Sequence, residues 1–488
     1  LDHGALSISK LLPEQTSCSD ELRYKGSKQI TAGFLAMRNI VDLPWHLFEL
    51  IVEDVTQRDW RMPLNSNRTT IRDLRLVCRQ WADWLYVHHL YRTLAFSDAP
   101  RAIGFINHIA NRPAQLLRAR CQHLHIFNIL TWGDPAPINN RGLPRAMKRI
   151  PGEEITAEIL GTLIELFSGS IVKLNLRFWN ILSLPTQVVQ SIGQIENLCE
   201  LQLGHELQIP STRPRQLDAL LGLDDDDQDD DHHAQLFALA HMMQDDDDNP
   251  SPPTDMDPVE SKIDHDCLKS LLVVSRKLDS LDLTDLDPIN LPQPIIESRT
   301  FSGHQIPTIT RLEAGLDGES VSRLIELSVF LKQTLRVLSL SQRWQGDYSE
   351  KLVPVFENLR ENLEGLFIND AKFLGPQVLQ LHFPRLRVFK TVFWNGPLGN
   401  LLDQPMFSSA PLDLLALQAS FCEQQSTSDD PRLNPFSNLH ILRRLVFCDI
   451  PSDWECPATY LDLCRAKNII PVHLTPEDSE NISLIMSL

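Results

Sequence analysis

"LRVLSL" at residues 335–340, followed by "LEGLFI" at residues 363–368, decides how this chain folds. In both, large apolar residues stand first, fourth and sixth, and the last two are separated by one residue, the period of a strand with a single buried face. The same pattern appears as "CQHLHI" (121–126), "IVKLNL" (171–176), "LCELQL" (198–203), "LDSLDL" (278–283), "LDLLAL" (412–417) and "LRRLVF" (442–447). "ITRLEA" (309–314) and "LRVFKT" (386–391) are degenerate versions.

The fourth positions are Leu124, Leu174, Leu201, Leu281, Leu312, Leu338, Leu366, Phe389, Leu415 and Leu445, at intervals of 50, 27, 80, 31, 26, 28, 23, 26 and 30. One such hexamer is common in ordinary helices, but seven of nine intervals between 23 and 31 make a repeat array. Intervening segments such as "TAEILGTLIELFSG" (156–169) and "VSRLIELSVFLKQ" (321–333) carry helical patterning. The unit is therefore strand, turn, helix, turn, with the period of leucine-rich repeats. Stacked, it predicts an α/β solenoid over residues 96–488, a curved parallel sheet inside a layer of outer helices.

The 80-residue interval holds "LDDDDQDDDHH" and "QDDDDNPSPPTDMD". Like charges interrupted by prolines bury too little apolar surface to fold, so residues 223–260 are expected to be a disordered acidic loop, which a solenoid tolerates because loop closure costs little per added residue. Residues 216–261 carry fifteen acidic side chains and neither Lys nor Arg, which accounts for all but four of the net charge of −19. No basic stripe is present to neutralise phosphates, so nucleic acid is not an expected partner.

No apolar run reaches the roughly 18 residues of a membrane span, so no membrane partner is expected. The first twenty residues contain no signal-peptide core, and the opening on Leu1 rather than Met is what a sequence lacking its true start would show. The nine cysteines form no CxxC pair, and several sit in apolar runs, as in "RLVCRQW" and "LVFCDI". They read as buried thiols of a reducing compartment, hence a cytoplasmic or nuclear protein.

Residues 1–40 read as a flexible leader, and two short helices are expected after it. In the first, Pro44, Leu47, Phe48, Ile51 and Val55 form one stripe, while Leu50 and Val52 add apolar mass off it. In the second, which opens on "TIRD", the stripe is Leu74, Val77, Cys78, Trp81 and Leu85, with Leu76 and Trp84 elsewhere. A helix apolar on more than one side needs cover on more than one side, which about fifty residues cannot supply alone. Either the helices pack on the rest of the chain or a partner covers them.

"LPWHLFELI" (43–51), "LRLVCRQW" (74–81) and "HLYRTLAF" (89–96) together resemble an F-box, here over residues 41–95. With the irregular repeats behind it, the chain resembles the F-box/leucine-rich-repeat proteins, especially the divergent fungal type. The resemblance implies a substrate-recognition subunit of a Skp–cullin–F-box ubiquitin ligase. A Skp-type adaptor would bind Leu43, Pro44, Leu47, Leu50, Ile51, Leu74, Leu76, Val77, Cys78 and Trp81 and connect the chain to a cullin–RING ligase. The chain would perform no chemistry itself, hold no cofactor and act by proximity. The connection over residues 56–70 is longer than the family uses, and the alternative is a leucine-rich-repeat scaffold not coupled to ubiquitination.

Residues alternating with the anchors line the concave face. They are polar in the early units (Lys173, Asn175, Arg177, Glu200, Gln202, Ser280, Asp282, Thr284) and more apolar in the later ones (Phe367, Val388, Val392, Trp394, Val446). A protein substrate is expected there, with Arg177, Trp179, Phe367, Val392 and Trp394 as its contacts, because exposed aromatic anchors are typical hot spots. The alternative is that the tryptophans pack under loops. No G-x-S-x-G elbow, P-loop, G-x-G-x-x-G or H-E-x-x-H occurs. His232 and His233 with their aspartates lack an EF-hand frame, and Cys448, Cys456 and Cys464 with His473 match no zinc spacing, so neither catalysis nor a metal site is expected.

Overall fold

The computed structural model describes residues 52, 74, 76–113, 118–130, 152–179, 182–205, 263–264, 267–286, 308–316, 320–342, 346–394, 396–426, 435–451 and 454–488. The expected leader (1–40) and acidic loop (223–260) lie outside them. The chain divides into two compact units, Leu1–Leu90 and Tyr91–Leu488.

In the first unit, helix α1 (Arg79–His88) starts later than its apolar stripe suggests. Cys78 is extended (φ −158, ψ 164) and takes the N-cap place, its Sγ accepting the Trp81 N–H at 3.4 Å. Leu76 and Val77 therefore lie in a turn ahead of the helix, closed by the Val77 N–H on the Leu74 carbonyl. Trp81 and Leu85 bury against Val52, with Leu74, Cys78, Trp84 and Leu90 packed around them.

The second unit contains strands β1 (Thr93–Phe96), β2 (His123–Ile129), β3 (Lys173–Phe178), β4 (Leu184–Pro185), β5 (Glu200–His205), β6 (Ile263–Asp264) and β7 (Ser280–Asp285). They are followed by β8 (Arg311–Leu316), β9 (Val337–Gln342), β10 (Gly365–Asp370), β11 (Val388–Phe393), β12 (Leu414–Gln418), β13 (Arg444–Cys448) and β14 (Ile470–His473). Twelve of these make one open, all-parallel sheet in the order β1-β2-β3-β5-β7-β8-β9-β10-β11-β12-β13-β14. β4 and β6 form a separate small antiparallel pair. Parallel neighbours need crossovers, and here these include helices: α2 (Ala99–Ala110), α3 (Ala157–Phe167), α4 (Thr186–Gly193), α5 (Cys267–Val274), α6 (Ser320–Leu331) and α7 (Ser349–Leu359). Further helices follow: α8 (Pro376–Leu379), α9 (Leu398–Leu402), α10 (Pro405–Ser408) and α11 (Ala419–Ser426). The chain closes with α12 (Ala458–Lys467), α13 (Pro476–Ser479) and α14 (Ile482–Ser487). The fold is α/β and solenoid-like.

All ten anchors are successive partners across the sheet, from Leu124 beside Leu174 to Leu415 beside Leu445. None is more than 1% exposed. The helices bury their stripes on the same side, as α3 does with Leu160, Leu163, Ile164 and Phe167. The long interval does not interrupt the array, since β5 and β7 are direct neighbours with Leu201 beside Leu281.

At both ends the sheet exceeds the pattern. "TLAF" pairs in parallel with β2, which puts residues 91–95 with the sheet rather than with the expected helical segment, and "IPVH" adds a last strand beside β13. Among the described cysteines all are free thiols, and burial pushes Cys121 up to about 12 and Cys448 to about 11.

Candidate functional site

Side chains alternate along strands, so the residues flanking the anchors form two rows on the sheet's other face. One runs His123, Lys173, Glu200, Ser280, Arg311, Val337, Gly365, Val388, Leu414 and Arg444. The next runs His125, Asn175, Gln202, Asp282, Glu313, Ser339, Phe367, Lys390, Ala416 and Val446. The face is polar from β2 to β8 and largely apolar from β9 to β13.

The apolar half is not open. Residues 474–488 fold across it, with Thr475 capping α13 and Asn481 capping α14. Leu474, Ile482 and Ile485 join Val337, Phe367, Val388, Leu414, Ala416, Val446 and Cys448 in an apolar cluster separate from the main core. Polar contacts fasten the segment: Lys390 Nζ donates to the Ser479 carbonyl at 2.6 Å and Arg387 to the Met486 carbonyl at 3.3 Å. Arg311 donates to the Ser483 hydroxyl, and the Ser479 hydroxyl donates to the Asp449 carboxylate. Gly365 makes room, because a Cβ there would stand 2.5 Å from the Met486 sulfur. The expectation of an open apolar face in the later units is thereby corrected: Phe367, Val388 and Val446 are 4%, 1% and 0% exposed.

The polar half carries charges in unusual settings. Lys173 pairs with Glu200 at 3.2 Å, and Arg311 reaches Glu200 at 3.3 Å and Ser280 Oγ at 2.7 Å. Arg177 pairs with Asp285 across the intervening β5 strand, where its sheet partner is Gly204. A Cβ at Gly204 would stand 2.8 Å from the Asp285 Cβ and collide with the Arg177 guanidinium, so only glycine lets this pair close. Asp282 and Glu313 are direct partners on adjacent strands, a like-charge arrangement that costs energy when both ionise. Burial, then mutual repulsion, pushes Glu313 up to about 7, against the pull of Arg311 at 3.7 Å. Burial likewise raises Asp282, whose Oδ1 accepts the Thr284 N–H at 2.8 Å. Burial and the nearby Lys173 lower His125 to about 4, so its ring is neutral at neutral pH and Asn175 Nδ2 can donate to its Nδ1 at 3.3 Å.

Glu313 keeps its proton in the fold between its ordinary 4.5 and about 7, so ionising it costs stability as pH rises through that window. Glu313→Gln is expected to differ little from wild type at pH 4.5 and to be more stable at pH 8 by roughly 1–3 kcal/mol, read from thermal melts across pH. His125 acts oppositely, losing stability as pH falls from 6.5 to about 4, but contributes to both proteins and cancels in the difference. A difference that shrinks toward pH 8 would contradict the burial of Glu313.

Of the expected substrate contacts, Arg177 is held in its ion pair, and Trp179 lies half-buried just past β3 with Nε1 buried and unpartnered. Val392 is half-buried, and Trp394 packs on the main core, its indole donating to the Pro397 carbonyl at 3.3 Å. The exposed aromatic on this stretch is Phe393, 38% exposed with Lys372 Nζ 5.7 Å above its ring. Its place on β11 continues the register of the buried anchor Phe389 and Thr391, which in the sequence points it to the core rather than to solvent.

Of the expected adaptor contacts, Leu76 and Val77 stand out to solvent at 83% and 53%. Trp81 is 7% exposed and belongs to the unit's own core, with Cys78 and Leu74 half-buried beside it. Leu43, Pro44, Leu47, Leu50 and Ile51 lie outside the described residues. No described helix is long and apolar enough to cross a membrane.

No family model matches the chain, and a search of the curated proteins returns no match.

Proposed function

We propose that the chain is the substrate-recognition subunit of a Skp–cullin–F-box ubiquitin ligase, its N-terminal unit an F-box that engages a Skp-type adaptor and its leucine-rich repeats a receiving surface for protein substrate. The observation that carries this reading is the adjacent pair Leu76 and Val77, exposed at 83% and 53% on the turn before α1. Leaving two large aliphatic side chains in water forgoes about 1.5–3 kcal/mol each, which a partner surface would recover. Trp81 and Leu85 of the helix that follows the turn bury against Val52. Trp81 serves in this reading as scaffold rather than contact.

Co-expression of the full chain with the adaptor tests it. Wild type is expected to co-purify with the adaptor, and a Leu76→Asp/Val77→Asp variant with an unchanged circular dichroism spectrum to lose it at least tenfold, because both positions are already solvated in the free chain. A well-folded wild type that does not bind would remove the ligase reading and leave a repeat scaffold.

A further inference from the structure

We propose that the polar half of the second sheet face receives an extended basic segment of a partner protein, with an arginine or lysine side chain seated between Asp282 and Glu313 and a donor of the same segment on Asn175 Oδ1. This rests on the reading of that face as the receiving surface and names the chemistry it selects.

The charges of the face point to a cation from outside. Lys173 is held by Glu200, Arg177 by Asp285, and Arg311 divides its donors among Glu200, Ser280 and Ser483, standing no closer to Glu313 than 3.7 Å. Asp282 and Glu313 are left side by side with less positive charge than negative around them. Like charges directly opposite on adjacent strands are a standing cost, and a cationic side chain that enters between the two half-buried carboxylates removes it while gaining charge-assisted hydrogen bonds.

Asn175 points to the same class of ligand independently. The residue is 5% exposed, yet its Oδ1 has no hydrogen-bond partner. Its Nδ2 is turned to His125 on β2, so the oxygen lies on the side of the amide away from that ring. A buried acceptor without a donor costs about 1–3 kcal/mol, so this stretch of the face offers an acceptor as well as negative charge.

The spacing favours a polypeptide over a single small cation. Asn175, Gln202 and Asp282 are successive partners in one row, which puts Asn175 about 10 Å from the carboxylate pair, a span of about three residues of extended chain. The covered apolar half adjoins this stretch, with Arg311 joining the two through Ser483.

A fluorescein-labelled heptapeptide of alternating arginine and serine, titrated into the full chain at physiological ionic strength and followed by anisotropy, tests the site. Wild type is expected to bind, and Asp282→Asn/Glu313→Gln to weaken binding at least tenfold. Both substitutions are near-isosteric and remove a costly charge, so the variant is expected to fold. The acidic run at 224–257 is intact in all proteins compared. Glu361→Gln/Asp462→Asn makes the same change in net charge at positions where the side chains are 59% and 72% exposed, and is expected to leave binding unchanged. Absence of wild-type binding, or equal weakening in the two double variants, overturns the site. The titration contains no adaptor, so a chain that binds the peptide but not the adaptor would lose the ligase reading and keep this one.

Discussion

Ile485→Asp is expected to release residues 475–488 from the sheet while the sheet itself stays folded. Ile485 is fully buried among Phe367, Val388, Ala416 and Val446, and the cations beside the cluster, Lys390 and Arg387, already donate to the Ser479 and Met486 carbonyls. An unpaired charge in an apolar site costs several kcal/mol. The segment is held by Leu474, Ile482 and Ile485, half-buried Leu484 and Met486, and the contacts from Arg311, Arg387 and Lys390. Losing Ile485 and gaining the charge removes about 3–5 kcal/mol of local stability. Once off the sheet, α14 has only six residues and cannot persist as a helix in water. Amide exchange is therefore expected to rise over 475–488, and binding of an apolar dye to rise with it as Phe367, Val388 and Val446 are uncovered. The main core lies on the other face of the sheet, so most protection within the sheet is expected to remain. Ser487→Asp, at an exposed position of the same helix, is the matched control. Unchanged exchange in Ile485→Asp would mean that the segment does not depend on this cluster.

How much of this was legible in the sequence depends on whether the information was local. The anchors were readable because one leucine per turn of the array recurs in register, and that register also specified the rows of the other face, including Asp282 beside Glu313. Three things were not. The edge strands β1 and β14 have a neighbour on one side only, so "TLAF" and "IPVH" need no L-x-x-L-x-L hexamer to pair. Cys78 is not among the usual capping residues, so the apolar stripe of Leu74, Val77, Cys78 and Trp81 read as one unbroken helix where the chain turns. The covering of the apolar half by residues 474–488 is the largest omission. "NISLIMSL" fits any short helix, and nothing in it states which distant surface it will meet, because Ile485 and Phe367 come together only once the sheet exists.

Phe389→Ala is expected to cost about 3–5 kcal/mol, read from urea unfolding. Phe389 stands where every other anchor is leucine, and its unit is the shortest, 23 residues after Leu366. So short a unit leaves only the four-residue α8 as its α-helix in the outer layer, where α6 and α7 in preceding units have 12 and 11 residues. Phe389 occupies space that a longer helix would fill: it is fully buried, and its ring lies 4.6 Å from that of Phe407 on α10. Leucine restores the consensus but not the volume, so Phe389→Leu is expected to cost about 1–2 kcal/mol, between wild type and alanine. Replacing Leu338 by phenylalanine, the reverse exchange under the longer α6, is expected to destabilise as well, by about 1–3 kcal/mol from overpacking. The ordering of these variants separates two views of the array. If repeat identity alone governed the anchors, Phe389→Leu would be neutral or stabilising. If each anchor is fitted to the thickness of its own outer layer, leucine is worse than phenylalanine at 389 and better at 338.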